Sequence, residues 1–210
     1  AHRSAIGATD PPVWITNDEH AQERLVYVAS GALHVCTQPG ESDSVVTPLD
    51  LELGSVGFLP GTGLQLSASP DGASVAWVTD ELYVLPVAGP TAEIASRTVH
   101  RVTTLGCRIE SYSWSPDCSQ LVLSANRLGH FQIWVVDVAD GSARRVTSET
   151  SGTVDINPSF THDGAAVVFA RLDASWTAHT ILMLPLTAAA DDDDGPSPII
   201  IAEDTDNFNY

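Results

Sequence analysis

Ser111-Tyr112-Ser113-Trp114-Ser115-Pro116-Asp117-Cys118-Ser119-Gln120-Leu121-Val122-Leu123-Ser124 reads as strand, corner, strand. Apolar and aromatic residues alternate with small polar ones on both sides of the Ser-Pro-Asp corner, as half-buried antiparallel strands require. Asp71, in Ser69-Pro70-Asp71-Gly72, lies 46 residues before Asp117, and Asp163, in Thr161-His162-Asp163-Gly164, lies 46 residues after it. Each corner is followed by a second apolar stretch: Val75-Ala76-Trp77-Val78, Leu121-Val122-Leu123 and Val167-Val168-Phe169-Ala170. Self-similarity at a period in the forties signals a repeated supersecondary unit, and here the unit reads as four strands.

Working outward from this stretch, Phe131-Gln132-Ile133-Trp134-Val135-Val136-Asp137-Val138 is a third strand, closed by Asp140-Gly141, and Arg144-Arg145-Val146-Thr147 is a fourth. The preceding unit repeats the order with Leu64–Ser67, Ser74–Val78, Leu82–Val87 and Val99–Thr103. The following unit gives Ile156–Phe160, Ala166–Phe169, Thr180–Leu184 and Pro198–Ile201. A first unit is worn: Val13–Ile15, Arg24–Val28, Ala32–Val35 and Ser44–Thr47, with about four extra residues in its first turn around Asn17-Asp18-Glu19-His20. Helical periodicity is absent. The expected units are 12–50, 62–104, 109–148 and 154–203, and residues 204–210 resemble the opening of a further one.

The recurring corner has a physical reason. Pro presets φ, Asp can bond backbone N–H groups ahead of it, and Gly accepts positive φ without a Cβ clash. Asp71, Asp117 and Asp163 are therefore expected to be structural turn residues rather than catalytic or metal-binding ones. Cys118 stands where the other corners carry Gly. If that position is left-handed, Cys costs about 1–2 kcal/mol there.

The 27 acidic residues face only nine basic ones, all Arg, giving a formal charge of −18. Such a surface repels nucleic acid and anionic membranes, so neither is expected as a partner. The acid excess without Lys fits a salt-adapted surface or a GC-rich genome. With 43% apolar and 17% charged residues the composition suits a globular β protein, and no apolar run approaches the ~18 residues of a membrane span. Cys36, Cys107 and Cys118 leave at least one thiol unpaired within the chain and contain no C-x-x-C pair of the kind zinc sites use.

At Trp114-Ser115-Pro116-Asp117, Ile133-Trp134-Val135-Val136-Asp137 and Arg144-Arg145-Val146-Thr147 the chain resembles the TolB-type β-propeller repeat. Leu82-Tyr83-Val84 with His100-Arg101-Val102-Thr103 is a second copy. The resemblance covers residues 60–210 well and 12–50 loosely. It implies an all-β fold, a β-propeller of four-stranded antiparallel blades, with about four blades here as part of a larger propeller. The same repeat occurs in periplasmic TolB, in tricorn-type proteases, and in propellers that precede the catalytic domain of prolyl-oligopeptidase-family peptidases. It leans towards a location outside the cytoplasm.

No G-x-S-x-G elbow, H-E-x-x-H, EF-hand loop, P-loop or G-x-G-x-x-G motif occurs, so neither catalytic residues nor a cofactor nor a metal is expected. The run Asp191-Asp192-Asp193-Asp194 reads as a solvated insertion, because a block of like charges repels itself. The segments Ala125–His130 and Arg171–His179 lie at equivalent points of adjacent units and read as second-to-third-strand loops. In a propeller such loops emerge on one face, and these carry Arg127, His130, Arg171, Trp176 and His179, types favoured at binding hot spots. The expected function is a non-enzymatic scaffold that binds another protein through this face. The alternative is an accessory or gating propeller of a serine peptidase whose catalytic domain lies outside the chain. Further blades or a second copy are also possible partners.

Overall fold

The computed structural model describes residues 13–17, 22–29, 32–36, 44–48, 66–88, 94, 97–127, 129–148, 152–173, 179–186 and 197–204. Their sixteen strands form four separate antiparallel sheets, each with its strands in chain order. β1 (Val13–Asn17), β2 (Gln22–Ala29), β3 (Ala32–Cys36) and β4 (Ser44–Pro48) make the first sheet. β5 (Ser67–Ala68), β6 (Ser74–Val78), β7 (Leu82–Pro86) and β8 (His100–Arg101) make the second. The third holds β9 (Arg108–Trp114), β10 (Gln120–Asn126), β11 (Phe131–Asp137) and β12 (Ala143–Arg145). The fourth holds β13 (Thr153–Phe160), β14 (Ala166–Asp173), β15 (His179–Pro185) and β16 (Ile199–Asp204). These open four-stranded meanders are propeller blades.

The chain divides into two compact units, Ala1–Arg101 and Val102–Tyr210, each with two sheets. Within the first, one face of each sheet supplies a shared core of Ile15, Val26, Leu33 and Val35 against Val75, Trp77, Leu85 and Val87. Trp77 and Tyr83 are cross-strand neighbours on β6 and β7 and stack at 5.9 Å. Such a pair contributes about 0.5–1.5 kcal/mol beyond its buried area. The Tyr83 hydroxyl donates to Asp80 Oδ1 at 2.9 Å, and Glu81, almost fully buried, pairs with Arg101 at 3.3 Å.

In the second unit Val122, Ile133 and Val135 of the third sheet pack on Val167, Phe169, Leu182 and Leu184 of the fourth. Alternation explains the selection, since residues two apart on a strand share a face. Hydrogen bonds tie the sheets together: Ser124 Oγ donates to the Asp155 carbonyl at 2.6 Å, and Asn157 N–H donates to Ser111 Oγ at 3.0 Å. Asn157 is left-handed (φ 52°), at the point where the β13–β14 register shifts. Thr147, which closes Arg144-Arg145-Val146-Thr147, is buried, and its hydroxyl accepts the Ile133 N–H at 3.0 Å. β16 is the edge strand of its sheet, and Ile199, Ile200 and Ile201 on it are 50%, 58% and 53% exposed.

The three corners are built alike. Ser69 Oγ donates to Asp71 Oδ1 at 2.5 Å, Ser115 Oγ to Asp117 Oδ1 at 2.6 Å, and Thr161 Oγ1 to Asp163 Oδ1 at 2.6 Å. The same carboxylate oxygens accept the N–H groups of Ala73, Ser119 and Ala165. The hydroxyl oxygens in turn accept the N–H groups of Ser74, Gln120 and Ala166, where the next strand starts. Gly72, Cys118 and Gly164 are all left-handed, at φ 64°, 61° and 70°. Cys118 thus occupies a backbone position that favours glycine.

Strand limits differ from the sequence expectation where polar residues continue a ladder. Ala125 and Asn126 belong to β10, paired with Gln132 and Phe131, and Arg171 to Asp173 belong to β14. The run Asp191-Asp192-Asp193-Asp194, the turn residues 18–21 and residues 205–210 lie outside the described residues.

Candidate functional site

The β10–β11 connection and the facing ends of β13, β14 and β15 lie at one edge of the second unit. Asn126 pairs with Arg108 and Phe131 at the end of β10, while Thr153 pairs with Asp173 at the end of β14. The Ser124–Asp155 bond, two residues inside each of these ends, places them side by side.

Arg127 and His130 sit in the β10–β11 connection and are exposed, with Gly129 between them at φ 89°. The Arg127 guanidinium lies over the Trp134 ring, 5.3 Å from its centre. Arg108, at the start of β9, lies over Phe131 at 5.9 Å and pairs with Glu110 at 2.7 Å. These contacts lay two long side chains against apolar surface while their charged ends stay at the edge.

Arg171 is not a loop residue, contrary to the sequence expectation. It stands on β14 opposite Asp155 of β13 and grips that carboxylate with Nε at 2.7 Å and Nη2 at 2.8 Å. Asp155 is 3% exposed, so the pair is an internal brace, with Phe169 beneath the guanidinium at 5.6 Å. His179 is likewise the first residue of β15, half-buried and paired with Leu172 and Asp204. Trp176 lies outside the described residues. The edge therefore brings Arg127 and His130 together as exposed side chains and withdraws Arg171 into the fold.

Asp155 and Gln132 carry no local motif. Asp155 is 16 residues from Arg171, and only the register of β13 on β14 joins them. Gln132 lies inside a strand pattern otherwise apolar, and a polar residue breaking such a run on a buried face is the signal that could have found it.

At the corners, the Asp117 carboxyl is held below its ordinary pKa by the Ser115 hydroxyl first and then by Ser119. Asp163 is lowered by Thr161 and then by the Ala165 N–H. These bonds favour the ionised form. Among the described residues no group of three or more His, Cys, Asp or Glu could hold a metal ion, and no helix is long and apolar enough to cross a membrane.

No family model matches the chain, and no curated protein matches it. Solved structures do. TolB from Acinetobacter baumannii is 17% identical with a TM-score of 0.55, over 91% of this chain and 43% of that one. A puromycin-hydrolyzing peptidase of Mycobacterium tuberculosis is 17% identical with a TM-score of 0.58, over 91% and 30%. Dipeptidyl peptidase 4 of Porphyromonas gingivalis is 13% identical with a TM-score of 0.56, over 92% and 32%. The chain thus spans less than half the length of each. At these identities the likeness carries the fold alone, a β-propeller.

Proposed function

We propose that this chain is a non-enzymatic β-propeller module that binds another protein through the β10–β11 and β14–β15 edge. The observation that carries the reading is the exposed pair Arg127 and His130, mounted on strands braced by the Asp155–Arg171 pair and the Ser124–Asp155 bond. Rigid strands presenting exposed Arg and His side chains on a short connection suit recognition. His179 belongs to the same proposed surface, and Arg171 supports it from beneath. A location outside the cytoplasm goes with this reading and rests on the resemblance to TolB.

Affinity capture with wild type, the Arg127→Ala/His130→Ala variant and an Arg144→Ala/Arg145→Ala control on β12 tests it. The expected result is a partner protein retained by wild type and control and lost by the edge variant. Equal recovery by all three chains would overturn the reading.

A second reading follows from the likeness to the two peptidases, of which the chain spans about a third. On that reading the blades gate a catalytic domain encoded beyond this sequence, and the gene would carry a G-x-S-x-G segment in an α/β pattern downstream of Tyr210.

A further inference from the structure

Register makes the outer strands of three sheets directly comparable. Tyr83, Trp134 and Leu182 each stand three residues before the end of the third strand of their sheet. Opposite Tyr83 and its successor Val84, β8 places Arg101 and His100; opposite Trp134 and Val135, β12 places Arg145 and Arg144. On β16 the same two rungs hold Ile200 and Ile199, facing Leu182 and Met183. The β8 and β12 residues are all exposed. Charged side chains on an outer strand keep other chains from adhering to it. The second and third sheets follow this rule, and the fourth departs from it at equivalent positions.

The departure is large. Among the described residues the exposed large apolar side chains are Trp14 and the three consecutive isoleucines of β16. Ile199 and Ile200 alternate along the strand, and Ile201 is an extra residue at the β15–β16 register shift. Apolar surface is therefore presented on both sides of the strand. The charge reverses as well. Where the other outer strands carry cations, the isoleucines are followed by Glu203, which is exposed, and Asp204. From Glu149 to Tyr210 the one Arg is Arg171, and Asp155 holds it. Apolar side chains adjoining acidic ones complement a segment in which apolar and cationic residues adjoin. A second copy, itself at a net charge of −18, is repelled instead.

We propose that β16 is a docking strand for an extended segment of another protein in which β-branched apolar side chains stand beside Lys or Arg. Ile199, Ile200 and Ile201 cover the apolar side chains, and Glu203 meets a cation. This is a second interaction surface, on a different strand from Arg127 and His130, and it does not depend on the reading given above for that edge.

The test is fluorescence anisotropy of labelled peptides titrated with the 210-residue chain at about 0.15 M salt. Lys-Val-Lys-Ile-Arg-Val amide carries both features, Glu-Val-Glu-Ile-Asp-Val amide reverses the charge, and Lys-Ser-Lys-Ser-Arg-Ser amide keeps the charge alone. The expected result is saturable binding of the first peptide, with a Kd of about 0.1 mM or tighter, and binding of the other two at least about tenfold weaker. Ile200→Lys, which restores the cation found on β12, should weaken the first peptide about tenfold, and Ile201→Ser should weaken it in the same direction. Both positions are exposed, and circular dichroism confirms that each variant is folded. Arg127→Ala/His130→Ala and Arg144→Ala/Arg145→Ala should bind as wild type does. No binding, equal binding of either control peptide, or undiminished binding by both isoleucine variants would overturn the proposal. So would loss of binding in the Arg127→Ala/His130→Ala variant, which would move the peptide to the other edge. If the chain self-associates through β16 and ignores the peptides, the isoleucines serve a second copy and the proposal falls, while the Arg127–His130 reading is untouched.

Discussion

Asp155 and Arg171 close on each other through two parallel hydrogen bonds, 2.7 and 2.8 Å long, across one rung of β13 and β14. The carboxylate is buried and the guanidinium nearly so, so removing one partner leaves the other charge stranded. Arg171→Ala should cost about 3 kcal/mol in urea unfolding, the lower end for a broken buried pair because Arg171 keeps some solvent. A loss under about 1 kcal/mol would place it with ordinary surface pairs.

The corner carboxylates set an acid dependence. Asp117 and Asp163 have folded pKa values below their ordinary one, so their contribution is fully present above the unfolded value of about 4 and is lost as pH falls through the lowered folded values. The urea midpoint of Asp117→Asn/Asp163→Asn should lie below wild type at pH 6, and the gap should shrink on acidification towards pH 2. A gap independent of pH would show that charge plays no part in these corners.

Cys118 holds a left-handed conformation that Gly72 and Gly164 hold at the equivalent corners. Cys118→Gly should raise stability by about 1 kcal/mol, the relief of the Cβ clash less the added freedom of the unfolded chain. Denaturation under reducing conditions measures it, and a variant less stable than wild type would contradict the strain.

Two left-handed glycines should respond differently to alanine. A Cβ on Gly141 (φ 71°) would overlap the Val102 carbonyl oxygen, whereas one on Gly106 (φ 64°) would meet nothing within 4 Å. Gly106→Ala should therefore cost about 1 kcal/mol and Gly141→Ala at least about 2 kcal/mol, since backbone must shift as well. Equal melting temperatures for the two variants would refute the distinction.

The corners were legible in the sequence because their chemistry is local. Ser115, Asp117, Ser119 and Gln120 supply the donors and acceptors of their own turn, and the 46-residue period repeats them. Strand order followed, since short corners between alternating stretches leave antiparallel meanders as the simple solution. The edge was less legible. Arg171 read as a loop residue because a charged side chain in a polar stretch resembles a connection, yet its backbone continues the β14 ladder and its charge is met by a residue 16 positions earlier. Gln132 passed unnoticed inside an apolar strand, because neighbours in sequence do not show which strand face is buried. Only the pairing of β10 with β11 placed Arg127, Gln132 and Trp134 on one side.

The three exposed isoleucines of β16 bear on how these molecules behave in crowded solution. The outer edge of a strand rich in β-branched residues is a template on which another chain can add, and the chief opposition is the mutual repulsion of molecules with a net charge of −18. Added salt screens that repulsion within about 10 Å at 0.1 M. Light scattering should therefore reveal lateral clumping that grows with ionic strength and is suppressed by Ile200→Lys. Acidity, on this view, is what keeps the polypeptide dispersed while it carries a sticky border.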